Sequence, residues 1–218
     1  MTVDAGPSRV YDGPMSPQGI EIERKYRLRA APSAELLAGH GAVANGLEQV
    51  YLAGDPPGRR VRRSVRPDGS VEHRLTRKER LRDFAFREEE SVIDEAAFEG
   101  YLGEADPGRR RIRKVRYVVP HGAQALEIDV FEDPPGLVLL EVELERDEEE
   151  VALPDWLGDW VDVTGDPTYL NMSLARAGAI VPEWEHEWES EDEIAGEPGA
   201  AAAPEPGTAA GGEPDAAR

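Results

Sequence analysis

The chain has 218 residues and carries 45 acidic residues against 25 Lys and Arg, and this balance argues against a non-specific nucleic-acid binder. It contains no apolar run of about 18 residues, the length that a membrane-spanning helix requires. It also has no cysteine, which excludes disulfides and thiolate metal sites and fits the reducing cytoplasm. Because the first residues contain neither a basic region nor an apolar one, we expect no secretory signal.

The two ends of the chain differ in composition from its middle. Residues 1–18 are rich in Gly, Pro and Ser, and we expect them to form a flexible arm. Residues 182–218 are acidic and rich in Ala, Gly, Pro and Glu, so they cannot bury enough apolar surface to offset their chain entropy. The sequence therefore predicts a single folded domain over residues 19–181 and a disordered acidic tail.

The folded part is predicted to consist mainly of β-strands. Short runs of alternating apolar and polar residues are separated by turn sequences such as Pro67-Asp68-Gly69. These runs predict eight strands, at about residues 20–29, 48–54, 58–66, 70–78, 83–93, 110–119, 124–132 and 137–146.

Three short helices are predicted between and after the strands. The first runs over residues 32–38, and the second follows Asp94, which has the side chain of an N-cap. The third begins with Asp166 as N-cap and Pro167 in the first helical position, and it ends near Gly178. Strands outnumber helices, so the predicted class is α+β with a dominant antiparallel sheet.

Seven of the predicted strands share one unusual pattern, in which charged side chains recur two residues apart. Residues with this spacing lie on one face of a strand, and on a single strand such a face normally meets water. Seven strands that collect both signs of charge indicate instead a ligand that needs both. This charged face carries Glu21, Glu23, Lys25, Arg60, Arg62, Lys78, Arg87, Glu89, Lys114, Arg116, Glu127, Asp129, Glu141 and Glu143.

An anion bound together with divalent cations has these requirements. Arg and Lys hold phosphoryl or carboxylate oxygens, and carboxylates hold hard cations such as Mg²⁺ or Mn²⁺. A sheet of eight strands can close into a barrel around a small ligand. The sequence therefore predicts a closed eight-stranded antiparallel barrel with a charged, wet interior, whose apolar outer faces pack against the short helices.

A series of motifs in register along residues 19–178 resembles the CYTH, or triphosphate tunnel metalloenzyme, superfamily, and in particular its short bacterial inorganic tripolyphosphatases. The series opens with Glu-x-Glu-x-Lys at Glu21–Lys25, which alone is a weak signal because charged chains contain it often. The remaining motifs are Gln49–Leu52, Arg60–Arg62, Thr76–Lys78, Arg87–Glu89, Lys114–Tyr117, Glu127–Phe131 and Glu141–Leu144.

The resemblance implies a cytoplasmic enzyme that hydrolyses inorganic tripolyphosphate to pyrophosphate and phosphate with Mg²⁺ or Mn²⁺, as a monomer or homodimer. Catalytic roles are implied for Glu23, Lys25 and Glu143. The residues implied to hold the triphosphate are Lys25, Arg60, Arg62, Lys78, Arg87, Lys114 and Arg116. The implied metal ligands are Glu21, Glu23, Asp129, Glu141 and Glu143, with Glu89 and Glu127 as further candidates.

Three alternatives stay open at this point. The same tunnel could serve a class IV-type adenylate cyclase or a thiamine triphosphatase, or the domain could bind polyphosphate or nucleotide without turnover. The chain also departs from the family pattern, since Pro167 and Thr168 stand where short bacterial members often carry a basic pair. The run Glu88-Glu89-Glu90 leaves the register of its strand ambiguous, and strand parity favours Glu89 as the inward residue.

Overall fold

The computed structural model describes residues 19–55, 57–147 and 149–179, together with Val181 and Trp184. The arm expected over residues 1–18 lies outside the described residues, as does the tail expected over residues 182–218, apart from Trp184. Within these ranges, none of the helices has the length and hydrophobicity that a bilayer span needs.

Nine antiparallel strands make up almost half of the described chain, and all eight predicted strands are among them. The second begins at Val43 rather than near residue 48, because Asn45 and Gly46 are poor strand formers that obscured its first half. The strands are β1 Ile20–Leu28, β2 Val43–Tyr51, β3 Arg59–Val65, β4 Val71–Arg82, β5 Ala85–Ile93, β6 Ile112–His121, β7 Gln124–Asp133, β8 Val138–Leu144 and β9 Trp160–Asp162.

The first two predicted helices are confirmed as α1 (Ala34–Gly39) and α2 (Glu95–Leu102). Asp94 caps α2 as predicted, since its Oδ1 accepts a hydrogen bond from the backbone N–H of Ala97 at 2.7 Å. The third prediction was wrong in its length. A 3₁₀ turn over Pro167–Tyr169 is followed by an extended Leu170, which separates it from a four-residue α3 (Asn171–Leu174).

The strands close into a barrel. Their order is β5-β4-β3-β2-β6-β7-β8-β1, and β1 then pairs with β5 to complete the circle. That last pairing is short, because only Ile20–Ile22 lie opposite Ala85–Arg87. The rest of β1 pairs with β8 on one side and with β9 on the other. The predicted closed eight-stranded barrel is thus confirmed, with β9 as an added strand outside it.

Apolar side chains of the strands point outward and form the core against the helices. Val61, Ile128 and Val142 have no solvent exposure, and Leu37 of α1 and Phe98 of α2 cover them from outside in separate clusters. Since neighbouring residues on a strand point to opposite faces, this outward core directs the charged residues between them into the barrel.

Gly58 fixes the start of β3 against β4. Its φ is +88°, and a Cβ at this position would lie 2.6 Å from the backbone oxygen of Lys78. Glycine is the one amino acid that tolerates both this positive φ and so close an approach of a neighbouring backbone, because it has no Cβ. The glycine therefore lets the β2–β3 turn fold tightly over the part of β4 that carries Lys78.

Candidate functional site

The inside of the barrel holds a cavity of about 440 Å³, within the size range of small-ligand sites. Eight basic side chains and eight carboxylates line it, so the formal charges of its lining balance. Charges at this density survive inside a protein only when they are paired, hydrated or bound to a ligand. The basic residues are Lys25, Arg60, Arg62, Arg66, Arg74, Lys78, Arg80 and Arg116, and the acidic ones are Glu21, Glu23, Glu72, Glu88, Glu90, Glu127, Glu141 and Glu143.

The structure brings ten of the fourteen charged residues singled out from the sequence to this cavity. The other four divide into two kinds. The side chains of Lys114 and Asp129 are fully buried and pair with each other behind the lining. Arg87 and Glu89 lie on the outer face of the barrel, with side chains that are 50% and 64% exposed.

The inward parity assigned to β5 from the sequence was therefore wrong by one residue. Glu88 and Glu90 line the cavity, whereas Arg87 and Glu89 point outward toward charged neighbours on β4. The physical reason is that the outer face of β5 is exposed at these positions, so both of its faces carry charge. Without an apolar side facing a core, the alternation of the strand gave no sign of which face turns inward.

Lys25 is held between two carboxylates. Its Nζ lies 3.2 Å from Glu23 Oε1 and 2.9 Å from Glu141 Oε1, and all three side chains are less than one tenth exposed. Burial acts to lower the pKa of Lys25, but the attraction of Glu141 and Glu23 outweighs it and raises that pKa. The backbone N–H of Lys25 also donates to Thr164 Oγ1 at 3.0 Å, so the ammonium is both charged and fixed in position.

Lys78 connects three strands across the closure of the barrel. Its Nζ lies 2.6 Å from Glu21 Oε2 and 3.3 Å from Glu23 Oε2, both on β1, and 3.5 Å from Glu88 Oε2 on β5. Burial opposes the charged form, but these carboxylates raise the pKa of Lys78 well above its ordinary value. The ammonium also sits 4.5 Å from the centre of the Phe86 ring, a cation–π contact.

Arg116 of β6 contacts three carboxylates, two on β7 and one on β8. Its Nε and one terminal nitrogen donate to the two oxygens of Asp129 at 2.7 and 2.6 Å. The same terminal nitrogen donates to Glu141 Oε2 at 2.6 Å, and the other terminal nitrogen donates to Glu127. Burial alone would raise the pKa of Glu141, but Lys25 and Arg116 outweigh it and hold that pKa well below its usual range.

Four further residues of the cavity were not selected as site residues from the sequence. Glu90 accepts from Arg62 at 3.0 Å and also from Arg74, while Glu72 accepts from Arg74 at 2.5 Å and from Arg66 at 2.8 Å. Arg66, Glu72 and Arg74 continue the two-residue spacing of β3 and β4 beyond the recognised motifs. Extending that spacing to the end of each strand would have found them.

Three carboxyl groups in the cavity have pKa values above the ordinary range. The pKa of Glu143 is raised to about 8, first by burial and then by the negative charges of Glu127 and Glu21. Burial also raises the pKa of Glu127, against the attraction of Arg116, and that of Glu21, against the attraction of Lys78. At these three carboxyls the effect of burial therefore outweighs the attraction of the neighbouring bases.

The chemistry of these donors fits a hard divalent cation, which prefers carboxylate oxygens and would offset the mutual repulsion of Glu21, Glu127 and Glu143. In the part of the chain that the structure describes, no three acidic or histidine side chains already stand in the arrangement of a cation site. Most of the cavity carboxylates turn instead toward Lys and Arg partners, so a bound cation would replace some of these ion pairs.

The raised pKa of Glu143 predicts a pH-dependent stability of the cation-free protein. An acid with a higher pKa in the folded than in the unfolded state stabilises fully below its unfolded pKa, near 4.5 here. That contribution is lost as the pH rises toward the folded pKa of about 8. We expect the melting temperature in EDTA to fall by a few degrees between about pH 5 and pH 8.

The matched variant for this measurement is Glu143→Gln, which keeps the shape of the side chain and removes its titration. Its melting temperature is expected to vary much less over the same pH window. Equal slopes for the two proteins would contradict the assignment of the titration to Glu143.

No protein-family model matches the chain. The curated inorganic triphosphatase of Acetivibrio thermocellus is 39% identical over 66 residues, which are 30% of this chain and 41% of that protein. The match thus spans less than half the length of the curated relative. Among solved structures, the inorganic triphosphatase NE1496 is 29% identical, with 75% of this chain and 97% of that chain covered and a TM-score of 0.47. The PH1012 protein from Pyrococcus horikoshii OT3 is 22% identical, with 58% and 79% covered and a TM-score of 0.42.

Three findings bear on the family. The eight predicted strands close into an antiparallel barrel. Seven of these strands direct charged side chains into one cavity, including the Glu-x-Glu-x-Lys residues of β1. The curated relative named above is an inorganic triphosphatase. In its barrel, its charged cavity and this relative, the chain is similar to the CYTH, or triphosphate tunnel metalloenzyme, superfamily.

Proposed function

We propose that the protein is a cytoplasmic, Mg²⁺- or Mn²⁺-dependent hydrolase of a small triphosphate, with inorganic tripolyphosphate as its first substrate and phosphate and pyrophosphate as products. One observation carries the proposal: eight bases and eight carboxylates line a single cavity inside the barrel. A site for an anion alone would need only the bases, and a site for a cation alone only the carboxylates. Both sets together suit a metal–phosphate complex.

Five bases of the cavity are proposed to hold the phosphoryl oxygens. They come from four strands and surround the cavity, so together they can contact all three groups of a triphosphate. The Nε atoms of Arg60 and Arg62 are buried and have no hydrogen-bond partner among the described residues, which leaves each guanidinium a donor for a phosphoryl oxygen. The five residues are Lys25, Arg60, Arg62, Lys78 and Arg116.

Four carboxylates that these bases now neutralise, together with Glu143, are proposed to hold the divalent cation. When Lys25, Lys78 and Arg116 turn to the substrate, their carboxylate partners lose the positive charge that stabilises them. A cation, when bound, supplies charge neutralisation at the phosphate oxygens and at the leaving group. The proposed ligands are Glu21, Glu23, Glu127, Glu141 and Glu143.

Lys114 and Asp129 have a positioning role in this proposal. Neither residue lines the cavity, but Asp129 holds two nitrogens of Arg116 and so fixes the direction of its guanidinium. Lys114 neutralises the remaining charge of Asp129, and their side chains are both fully buried. This pair therefore orients a phosphate-binding group without touching the substrate.

The reaction proposed is attack of water on a terminal phosphorus, opposite the bridging oxygen that leaves. Phosphoryl transfer of this kind depends on positioning and on stabilisation of charge at the phosphate oxygens, and it requires no covalent intermediate. Lys25 and Arg116 supply positive charge at the phosphate oxygens, and Asp129 fixes the direction of Arg116 before the substrate arrives.

A phosphate-release panel tests the proposal with tripolyphosphate, thiamine triphosphate, ATP and pyrophosphate, each with Mg²⁺ or Mn²⁺. We expect tripolyphosphate to be hydrolysed fastest and pyrophosphate poorly, because the bases extend over several phosphoryl groups. The ATP reaction is also analysed for cyclic AMP. Binding of tripolyphosphate without release of phosphate under any condition would contradict a hydrolase.

The corrected register of β5 gives a paired prediction. Glu88→Gln removes the charge that faces Arg60 at 3.4 Å and Lys78 at 3.5 Å, so we expect kcat/KM for tripolyphosphate to fall roughly tenfold or more. Glu89→Gln changes a side chain on the outer face, and we expect kcat/KM to stay within about twofold of wild type. The reverse result would restore the parity that the sequence suggested.

A further inference from the structure

Two amide side chains in the charged cavity carry an acceptor without a partner. Gln49 and Asn171 both line the cavity, and Gln49 Oε1 and Asn171 Oδ1 are buried with no hydrogen-bond partner among the described residues. Gln49 is only 2% exposed. A buried acceptor that lacks a donor costs about 1–3 kcal/mol, so both oxygens call for a donor inside the cavity.

The two amides belong to the same end of the cavity. Asn171 begins α3, and the next residue, Met172, packs against the apolar cluster that contains Tyr51. Tyr51 lies two residues after Gln49 on the same face of β2. Arg109 ties the two elements together, since its guanidinium sits 5.5 Å from the centre of the Tyr51 ring and donates to the backbone oxygen of Met172 at 2.5 Å.

The chemistry of this end of the cavity selects the donor. An amide oxygen accepts a hydrogen bond without the full charge of a carboxylate, so it repels a polyphosphate far less. The nearby Arg60 and Arg62 each keep a buried Nε without a partner among the described residues, and in the proposed function these donors turn to phosphoryl oxygens. Water is the remaining donor, and a neutral glutamine that orients the attacking water is an established device in phosphoryl transfer.

We infer that Gln49 and Asn171 orient the water that attacks the terminal phosphorus, an inference that rests on the proposed function. The water oxygen forms the new bond to phosphorus, and the bond from phosphorus to the bridging oxygen breaks, with its electron pair leaving on pyrophosphate. Both protons of the water depart on the released phosphate. The amides accept hydrogen bonds throughout and never take up a proton.

The test separates kcat from KM for tripolyphosphate with Mg²⁺ in two variants. Gln49→Met keeps the approximate volume of the side chain and removes its acceptor, and Asn171→Ala removes the second acceptor on a different element. In each variant we expect kcat to fall about 10- to 100-fold while KM stays within about twofold, because the water loses its orientation and the phosphate contacts remain.

Gln124→Met is the matched control. Gln124 is an amide at the start of β7 that does not line the cavity, and its Nε2 donates to Glu149 Oε1 at 2.8 Å. Its kcat and KM are expected to match those of the wild type. Melting temperatures of all three variants show whether folding is retained, and Asn171→Ala in short α3 tests the inference independently of packing in β2.

The outcomes are distinct. A raised KM with unchanged kcat would show that the amides contact phosphate and would overturn the inference, as would unchanged kcat in both variants. Either result leaves the proposed function standing, because the wild-type enzyme is active in both. Absence of phosphate release by the wild-type protein would instead reject the proposed function itself.

Discussion

Replacement of Lys25 by methionine is expected to reduce kcat/KM for tripolyphosphate by roughly 10²–10³-fold, the usual cost of one pre-positioned charged donor at a transition state. The ammonium lies within 3.2 Å of both Glu23 and Glu141 and is almost fully buried. Its loss removes a phosphate contact and leaves two carboxylates that repel each other and the substrate. Phosphate release at saturating Mg²⁺, with protein folding checked by circular dichroism, measures the effect.

Arg29→Ala serves as the control for this variant. Arg29 directly follows β1, and its side chain is 63% exposed in an ion pair with Asp159 at 3.4 Å. Exposed pairs of this kind contribute little to stability, so activity and melting temperature should stay close to wild type. Near-normal turnover by the Lys25 variant would remove Lys25 from the catalytic set.

Loss of Asp129 is expected to destabilise the fold more than any other single charge deletion discussed above. The carboxylate has no solvent exposure, and it accepts hydrogen bonds from Lys114 and from two nitrogens of Arg116. Asp129→Ala leaves two buried cations without their shared partner, which typically costs about 3–5 kcal/mol. For a chain of this size we expect a melting temperature lower by on the order of 10 °C.

A double variant separates charge from packing in this prediction. Asp129→Leu combined with Lys114→Met removes one charge of each sign and fills the space with apolar groups, so it should be more stable than Asp129→Ala alone. Asp159→Ala, which removes an exposed acid, should change the melting temperature by at most a degree or two. A double variant less stable than the single one would show that Lys114 matters for more than charge balance.

Most of the architecture could be predicted because seven strands repeat one simple rule. Charged residues at every second position, with apolar residues such as Val61, Ile128 and Val142 between them, fix which face of each strand meets the core. The turn at Pro67–Gly69 and the N-cap at Asp94 then place the elements in order. A barrel with a charged interior and apolar outer faces can therefore be predicted from these local patterns, without knowledge of contacts between distant residues.

The remaining features depend on contacts between residues far apart in the sequence. The sequence did not show which face of β5 turns toward the cavity, because both of its faces are charged. The length of the third helix was predicted wrongly because Tyr169 is buried. Its hydroxyl accepts a hydrogen bond at 3.3 Å from a terminal nitrogen of Arg27, which lies 142 residues away. Lys114 shares its face with Arg116, but only the structure reveals that Asp129 takes up its charge behind the cavity wall.

The pairing of β1 with β5, which closes the barrel, is short. Only three residues of β1 lie opposite β5 there, but Lys78 of β4 reaches Glu21 of β1 and Glu88 of β5 across the same line. A ligand that contacts these three side chains connects β1, β4 and β5 at the short β1–β5 pairing. Because such a ligand binds the closed barrel, it shifts the equilibrium between open and closed forms toward the closed one. The same three side chains therefore govern both the local opening of the barrel between β1 and β5 and the binding of a ligand inside it.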